Sequence, residues 1–321
     1  MLTRRLLLIT AAGLLTAAAQ NASLPYPPQF TGAKAEVYKT VGGTPLTLYI
    51  FEPASKEHAN NAGASDPVTR STGGALAPVF ASKGTARPAI VFFFGGGWRN
   101  GSPAQFEGQC RRLASLGMVA ITADYRVSSR NQSNVVDSIR DAKSAIRYVR
   151  QNAKRLGIDP QRIAAGGGSA GGHIAAAAAV IPGMDEDPVV SSKPNALVLF
   201  NPALSLTGGS STVDELSKRP EFAGVDLVSV SPVEHVSKGA PPTIIFHGKA
   251  DKIVPYATVE GFAKKSQAAG NRCELVGYEG QGHGFFNNRP GNRYYGETLR
   301  AAEEFLASLG YLDGAAAAAS R

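Results

Sequence analysis

The chain has 321 residues, 43% of them hydrophobic and 18% charged, with a formal net charge of +8. That is ordinary globular composition, enough for one large α/β domain or two small ones. The positive excess is spread along the chain rather than clustered, which fits solubility and weak attraction to acidic polymers and speaks against nucleic-acid binding.

Met1-Leu2-Thr3-Arg4-Arg5 is a basic opening, Leu6 to Ala18 an apolar run, and Ala17-Ala18-Ala19 a small-residue cleavage signal before Gln20. These features predict a signal peptide over residues 1–19 and a secreted or periplasmic mature protein. The apolar run is shorter than the ~20 residues that span a bilayer, so no stable membrane insertion is expected after cleavage. Its removal takes Arg4 and Arg5 and no acid, lowering the net charge from +8 to +6. Two cysteines, Cys110 and Cys273, remain. The topology below sets them on distant elements, which predicts two free, buried thiols rather than a bridge.

Residues 20–33 read as an extended lead-in. Ala35 to Thr40 and Pro45 to Phe51 alternate around Gly42-Gly43, a hairpin pattern. Residues 52–87 form a low-complexity insertion to which no chemistry is assigned. Pro88 to Phe94 is a continuous apolar run, the mark of a fully buried strand. It ends in Gly95-Gly96-Gly97-Trp98. Ala104 to Leu116 reads as a helix and Met118 to Ala123 as a strand. A long helix is expected from Ser133 to about Leu156, with Val135, Ile139, Ala142, Ile146 and Val149 on one face. Strands follow at 162–168, Ala196 to Asn201, Pro242 to Phe246 and Cys273 to Tyr278. Helices are expected at Val259 to Ala269 and Tyr295 to Leu309. Residues 203–235 have weak periodicity and suit a small cap. Residues 314–321 read as a frayed tail. The alternation implies an α/β fold with a doubly wound, mostly parallel central sheet.

Within this frame Gly167-Gly168-Ser169-Ala170-Gly171 fits G-x-S-x-G between a strand and an alanine-rich helix, the setting of a nucleophile elbow. Flanking glycines are needed because such a serine sits in a strained backbone region where neighbouring β-carbons would clash. Loops at the carboxyl ends of the strands would build the site. Gly95-Gly96-Gly97 can bring backbone N–H groups against an oxyanion, or can serve as a tight turn. Of the five histidines, His283 stands in a glycine-hinged loop after the last strand and is the candidate base. His58 lies in the insertion and His235 at the cap edge. His173 reads as a support beneath the serine and His247 as a satisfied structural histidine. Asp251, on a loop between serine and histidine in chain order, is the candidate acid or a helix-capping residue. Asp226 and Glu279 are its rivals. Trp98 is a weak candidate for stacking on substrate, with core packing as the alternative.

The order Ser169, Asp251, His283 is that of the α/β-hydrolases. From about Ala35 to Leu309 the chain resembles that superfamily's esterase/lipase type, near hormone-sensitive-lipase-like and bacterial feruloyl and acetyl-xylan esterases. The resemblance rests on Phe94-Gly95-Gly96-Gly97-Trp98, Asp124-Tyr125-Arg126, Gly167 to His173, His247-Gly248-Lys249-Ala250-Asp251 and Gly282-His283-Gly284-Phe285. It implies a single α/β-hydrolase domain over residues 20–313, a Ser169–His283–Asp251 triad, and an oxyanion hole from the N–H groups of Gly96, Gly97 and Ala170. Relatives carry His where this chain has Phe94, so the oxyanion loop must be braced differently. The resemblance implies no cofactor and no metal. Its expected substrate is a small-molecule or polysaccharide ester with a short-acyl or hydroxycinnamoyl group. A prolyl-oligopeptidase-type peptidase and a non-catalytic binding protein on the same scaffold are the rivals. A dienelactone-type hydrolase would want a cysteine nucleophile.

Overall fold

The computed structural model describes residues 24–53, 86–207 and 218–312. The expected leader, most of the insertion with His58, the middle of the cap and the tail lie outside them. Strands β1 (Lys34–Val41), β2 (Thr44–Phe51), β3 (Arg87–Phe93), β4 (Val119–Ala123), β5 (Ile158–Gly168), β6 (Ala196–Phe200), β7 (Thr243–Gly248) and β8 (Cys273–Tyr278) form one sheet. The order across it is β1-β2-β4-β3-β5-β6-β7-β8. β1 and β2 pair antiparallel, as do β2 and β4, and every pairing from β4 to β8 is parallel.

Continuous apolar runs become central strands here because helices cover both faces. Along β3, Ala89, Val91 and Phe93 feed one core, which also takes Ile139, Ile146, Ile174 and Phe262. Ile90 and Phe92 feed the other, with Phe106, Leu113, Phe305 and Leu306. The first core lies under helices α2 (Val135–Gln151), α3 (Ala170–Val180) and α4 (Tyr256–Ala268); α1 (Glu107–Ser115) and α5 (Arg293–Ser308) cover the second.

Several boundaries differ from the sequence expectation. The long helix is not continuous to Leu156. Its capping box is Asn134 with Asp137, and it stops at Asn152, whose side chain bonds Tyr148 O at 2.9 Å; a separate turn, Ala153–Leu156, follows. An asparagine that caps its own helix competes with continuation. β5 begins four residues before the predicted start, at Ile158, and α3 begins at Ala170, directly after the serine. Cys110, on α1, and Cys273, on the edge strand β8, are both free and buried. Burial pushes the Cys110 thiol well above its usual range and that of Cys273 up to about 11, which leaves both as inert thiols.

Candidate active site

Ser169 stands between the last residue of β5 and the first of α3, with φ 54° and ψ −118°. A non-glycine residue there is strained and must be held by its surroundings. Its N–H donates to Phe200 O at 2.9 Å on the neighbouring strand, and its carbonyl accepts from His173 N at 3.0 Å. The glycines have the predicted steric reason. A β-carbon at Gly167 would crowd the Gly171 backbone, and one at Gly171 would overlap the carbonyl oxygens of Phe93 and Phe94. Glycine is thus the residue that lets β3, the loop after it and the helix start meet.

His283 brings Nε2 to 2.9 Å from Ser169 Oγ and Nδ1 to 2.7 Å from Asp251 Oδ2. These are hydrogen-bond distances for a nucleophile, a base and its orienting acid. Asp251 is buried. Its Oδ1 accepts from the N–H groups of Ile253 and Val254 at 2.8 and 3.0 Å. These bonds close a turn in the loop ahead of the helix Tyr256–Ala268, whose N-cap is Pro255 without a side-chain cap, so Asp251 orients the histidine and does not cap that helix. Burial alone would raise this carboxyl. The field of His283 and the hydrogen bonds from His247 and His283 outweigh burial and hold it well below the usual carboxylate range,. Its rivals lie elsewhere: Asp226 is exposed and accepts from Val228 N, and Glu279 is exposed and paired with Lys249.

Two contacts of Asp251 escaped sequence reasoning. His247 is not merely a structural histidine. Its Nε2 donates to Val254 O at 2.8 Å and lies 3.3 Å from Asp251 Oδ2. Asn201, one residue past β6, donates from Nδ2 to the same Oδ2 at 2.6 Å. The dipeptide Asn201-Pro202 at a strand end was the available signal.

The loop after β3 answers the question raised by Phe94. That ring is fully buried and stacks on Tyr125, 4.2 Å between centroids, while the Tyr125 hydroxyl donates to Phe94 O at 2.7 Å. Gly95 N donates to Gln105 Oε1 at 2.6 Å, and Gln105 Nε2 donates to Asn287 Oδ1 at 2.8 Å, linking this loop to the one that carries His283. Gly96 O accepts from Arg99 N and Asn100 N, and Gly97 O from Arg219 Nη2 at 2.8 Å. Because a peptide unit is planar and trans, a pinned Gly96 carbonyl fixes the opposite direction for the Gly97 N–H. Arg130 closes the far end, donating to Gly101 O at 2.7 Å with its guanidinium 3.8 Å from the Tyr26 ring centroid and 5.8 Å from that of Phe94.

Trp98 is not available to stack on substrate. At φ 58° its ring turns inward and is only 3% exposed. It meets Phe222 and His173 edge-on, and its Nε1 donates to His173 Nδ1 at 3.2 Å. His173 Nε2 donates in turn to Val230 O at 2.7 Å, and burial lowers its pKa to about 4, so it is a neutral support beneath the serine. His235 lies apart, bonded to Val228 O. Among the described residues no cluster of three His, Cys, Asp or Glu is placed to hold a metal ion.

The family model for the α/β-hydrolase fold matches residues 90–287, which run from within strand β3 through the serine turn and Asp251 to beyond His283. The chain belongs to the α/β-hydrolase family. It lies on the esterase/lipase branch of these hydrolases. Esterase 2 of Thermogutta terrifontis is 46% identical, with a TM-score of 0.78 over 90% of this chain and 99% of that one. The probable carboxylic ester hydrolase LipM of Mycobacterium tuberculosis is 30% identical over 197 residues, 56% of this chain and 44% of its own length. Esterase LipC of the same organism is 30% identical over 221 residues, 62% of this chain and 53% of its own. The chain thus spans about half the length of the curated relatives it matches.

Proposed function

We propose that this hydrolase is a serine carboxylester hydrolase acting through an acyl-enzyme. The observation that carries the reading is the unbroken line Ser169 Oγ, His283 Nε2, His283 Nδ1, Asp251 Oδ2, with steps of 2.9 and 2.7 Å. In this account His283 takes the Ser169 proton as Oγ attacks the ester carbonyl. The N–H groups of Gly96, Gly97 and Ala170 receive the oxyanion, the last at the start of α3 where the helix presents unbonded donors. The imidazolium then protonates the leaving alcohol. Water, deprotonated by the same imidazole, attacks the acyl-enzyme and releases the acid.

A short acyl group is the favoured substrate class. The support is that Thermogutta terrifontis esterase 2 has been solved with propionate and with butyrate bound. A carbohydrate-linked or hydroxycinnamoyl ester, and a secreted or periplasmic setting, rest on the sequence resemblance and the leader-like first 19 residues alone. With Trp98 buried, stacking by that residue no longer supports a sugar or aromatic acid.

The test compares the protein and Ser169→Ala on p-nitrophenyl acetate, p-nitrophenyl octanoate, methyl ferulate and acetylated xylan. Turnover on the acetate that falls on the order of 10⁴-fold or more in the variant is the expected result. Well-folded protein silent on all four would defeat the ester-hydrolase reading in favour of a peptidase or a binding scaffold.

A further inference from the structure

Asn201 sits at the carboxyl end of β6, the strand between those that carry Ser169 and Asp251. Its placement is unfavourable on three counts. It has φ 44° although it is not glycine. It precedes Pro202, which disfavours helical backbone in the residue before it. Among the described residues its Oδ1 has no hydrogen-bond partner, in a side chain of zero exposure. A buried carbonyl oxygen with nothing to accept from is destabilising, so something must hold this side chain in place. What holds it is the 2.6 Å bond from Nδ2 to Asp251 Oδ2. A carboxylate only accepts, so the NH₂ end of the amide must face it and the carbonyl end is left over.

We infer that Asn201 is a positioning residue of the triad, acting on His283 through Asp251. This rests on the proposed roles of those two residues. Oδ2 is the oxygen that accepts from His283 Nδ1, so Asn201 and His283 draw on the same lone pairs. His247 Nε2 reaches that oxygen too, but its shorter bond goes to Val254 O, so Asn201 is the main competitor. A second donor on Oδ2 disperses the carboxylate charge and weakens its hold on the imidazolium. Asn201 thereby fixes which oxygen faces the histidine. The backbone makes the link rigid: Asn201 N donates to Phe246 O on β7, while the preceding carbonyl, Phe200 O, holds Ser169 N.

The direction of the effect follows. Removing the donor leaves Asp251 more basic toward His283, favours the imidazolium, and moves loss of the base to higher pH. Asn201→Gly tests this with little backbone penalty, since glycine accepts positive φ freely. Asn201→Ala removes the donor as well while keeping a β-carbon at this position. In both variants the acid limb of the kcat/KM profile for p-nitrophenyl acetate should move up by roughly 0.5–1 pH unit, with KM at the plateau changed less than about twofold. An NMR titration of the His283 ring in the unliganded protein should show the same upward movement without requiring turnover. Thermal unfolding of Asn201→Gly near that of the parent would confirm that the fold is intact. Profiles and ring titration coincident with the parent, whatever happens to kcat, would overturn the inference. A parent inactive toward esters with the ring titration still displaced would defeat the functional reading and leave the coupling standing.

Discussion

At the scale of single residues, burial sets opposite tasks for two histidines. His283 stays at the surface of the site, where it can exchange a proton, while His173 is sealed between Trp98 and Val230 O. With a folded pKa of about 4 against an ordinary 6.5, His173 binds fewer protons in the folded than in the unfolded chain between those values. Its contribution to stability is therefore complete above pH 6.5 and is lost as pH falls toward 4. The shift corresponds to ~3 kcal/mol. Urea unfolding at pH 7 and pH 4 should show His173→Gln less stable than the parent at pH 7 but closer to it at pH 4. An equal gap at both pH values would show that His173 does not resist protonation.

Residue roles were unevenly legible in the sequence. Ser169 announces itself through its glycines, because the clash that excludes side chains is local to the turn. His283 and Asp251 follow from chain order and strand-end position. Trp98 stayed open between stacking on substrate and core packing because its direction depends on φ, and a three-glycine run says nothing about the sign of φ in the next residue; it packs in the core. The bond from Asn201 to Asp251 was hard to read because it crosses from the end of β6 to the loop after β7, and the His247 contact because it depends on how that loop folds Asp251 back onto its own strand. Neighbouring strand ends are brought together by sheet order, which the sequence shows only as alternation.

Among the elements, the loop from Phe94 to Ser102 carries the most consequence for chemistry. Its N–H groups can serve an oxyanion only if the peptide planes are fixed before substrate arrives. The bracing comes from four directions: Tyr125 beneath, Gln105 at the side, Arg219 at Gly97 and Arg130 at Gly101. Where relatives use a histidine, this chain uses an aromatic stack capped by a guanidinium. Arg130→Met should preserve the apolar stem and lose the grip on Gly101 O. We expect kcat to fall about 10- to 100-fold with KM little changed, because misplaced donors weaken the transition state more than the ground state. A rise in KM alone would show that Arg130 serves substrate binding instead. The strands themselves were legible to within a few residues, since a run such as Ala89 to Phe93 buries both faces and has no other use. The break in the helix after Gln151 was not, because Asn152 fits a helical pattern until its side chain caps the turn.

For the whole molecule, the eight-stranded sheet does one functional thing: it delivers Ser169, Asn201, Asp251 and His283 from consecutive strand ends β5, β6, β7 and β8 to one edge. Ligand sites at the carboxyl ends of parallel strands follow from that geometry. Thermogutta terrifontis esterase 2, 46% identical over nearly all of its own length, has been solved phosphorylated by paraoxon. The most direct test of the central claim is therefore the intact mass of this protein after exposure to paraoxon, followed by peptide mapping. One diethylphosphoryl adduct is expected, on Ser169, with loss of esterase activity in step and no adduct in Ser169→Ala. Stoichiometric labelling of another residue, or esterase activity that survives complete labelling of Ser169, would contradict that claim.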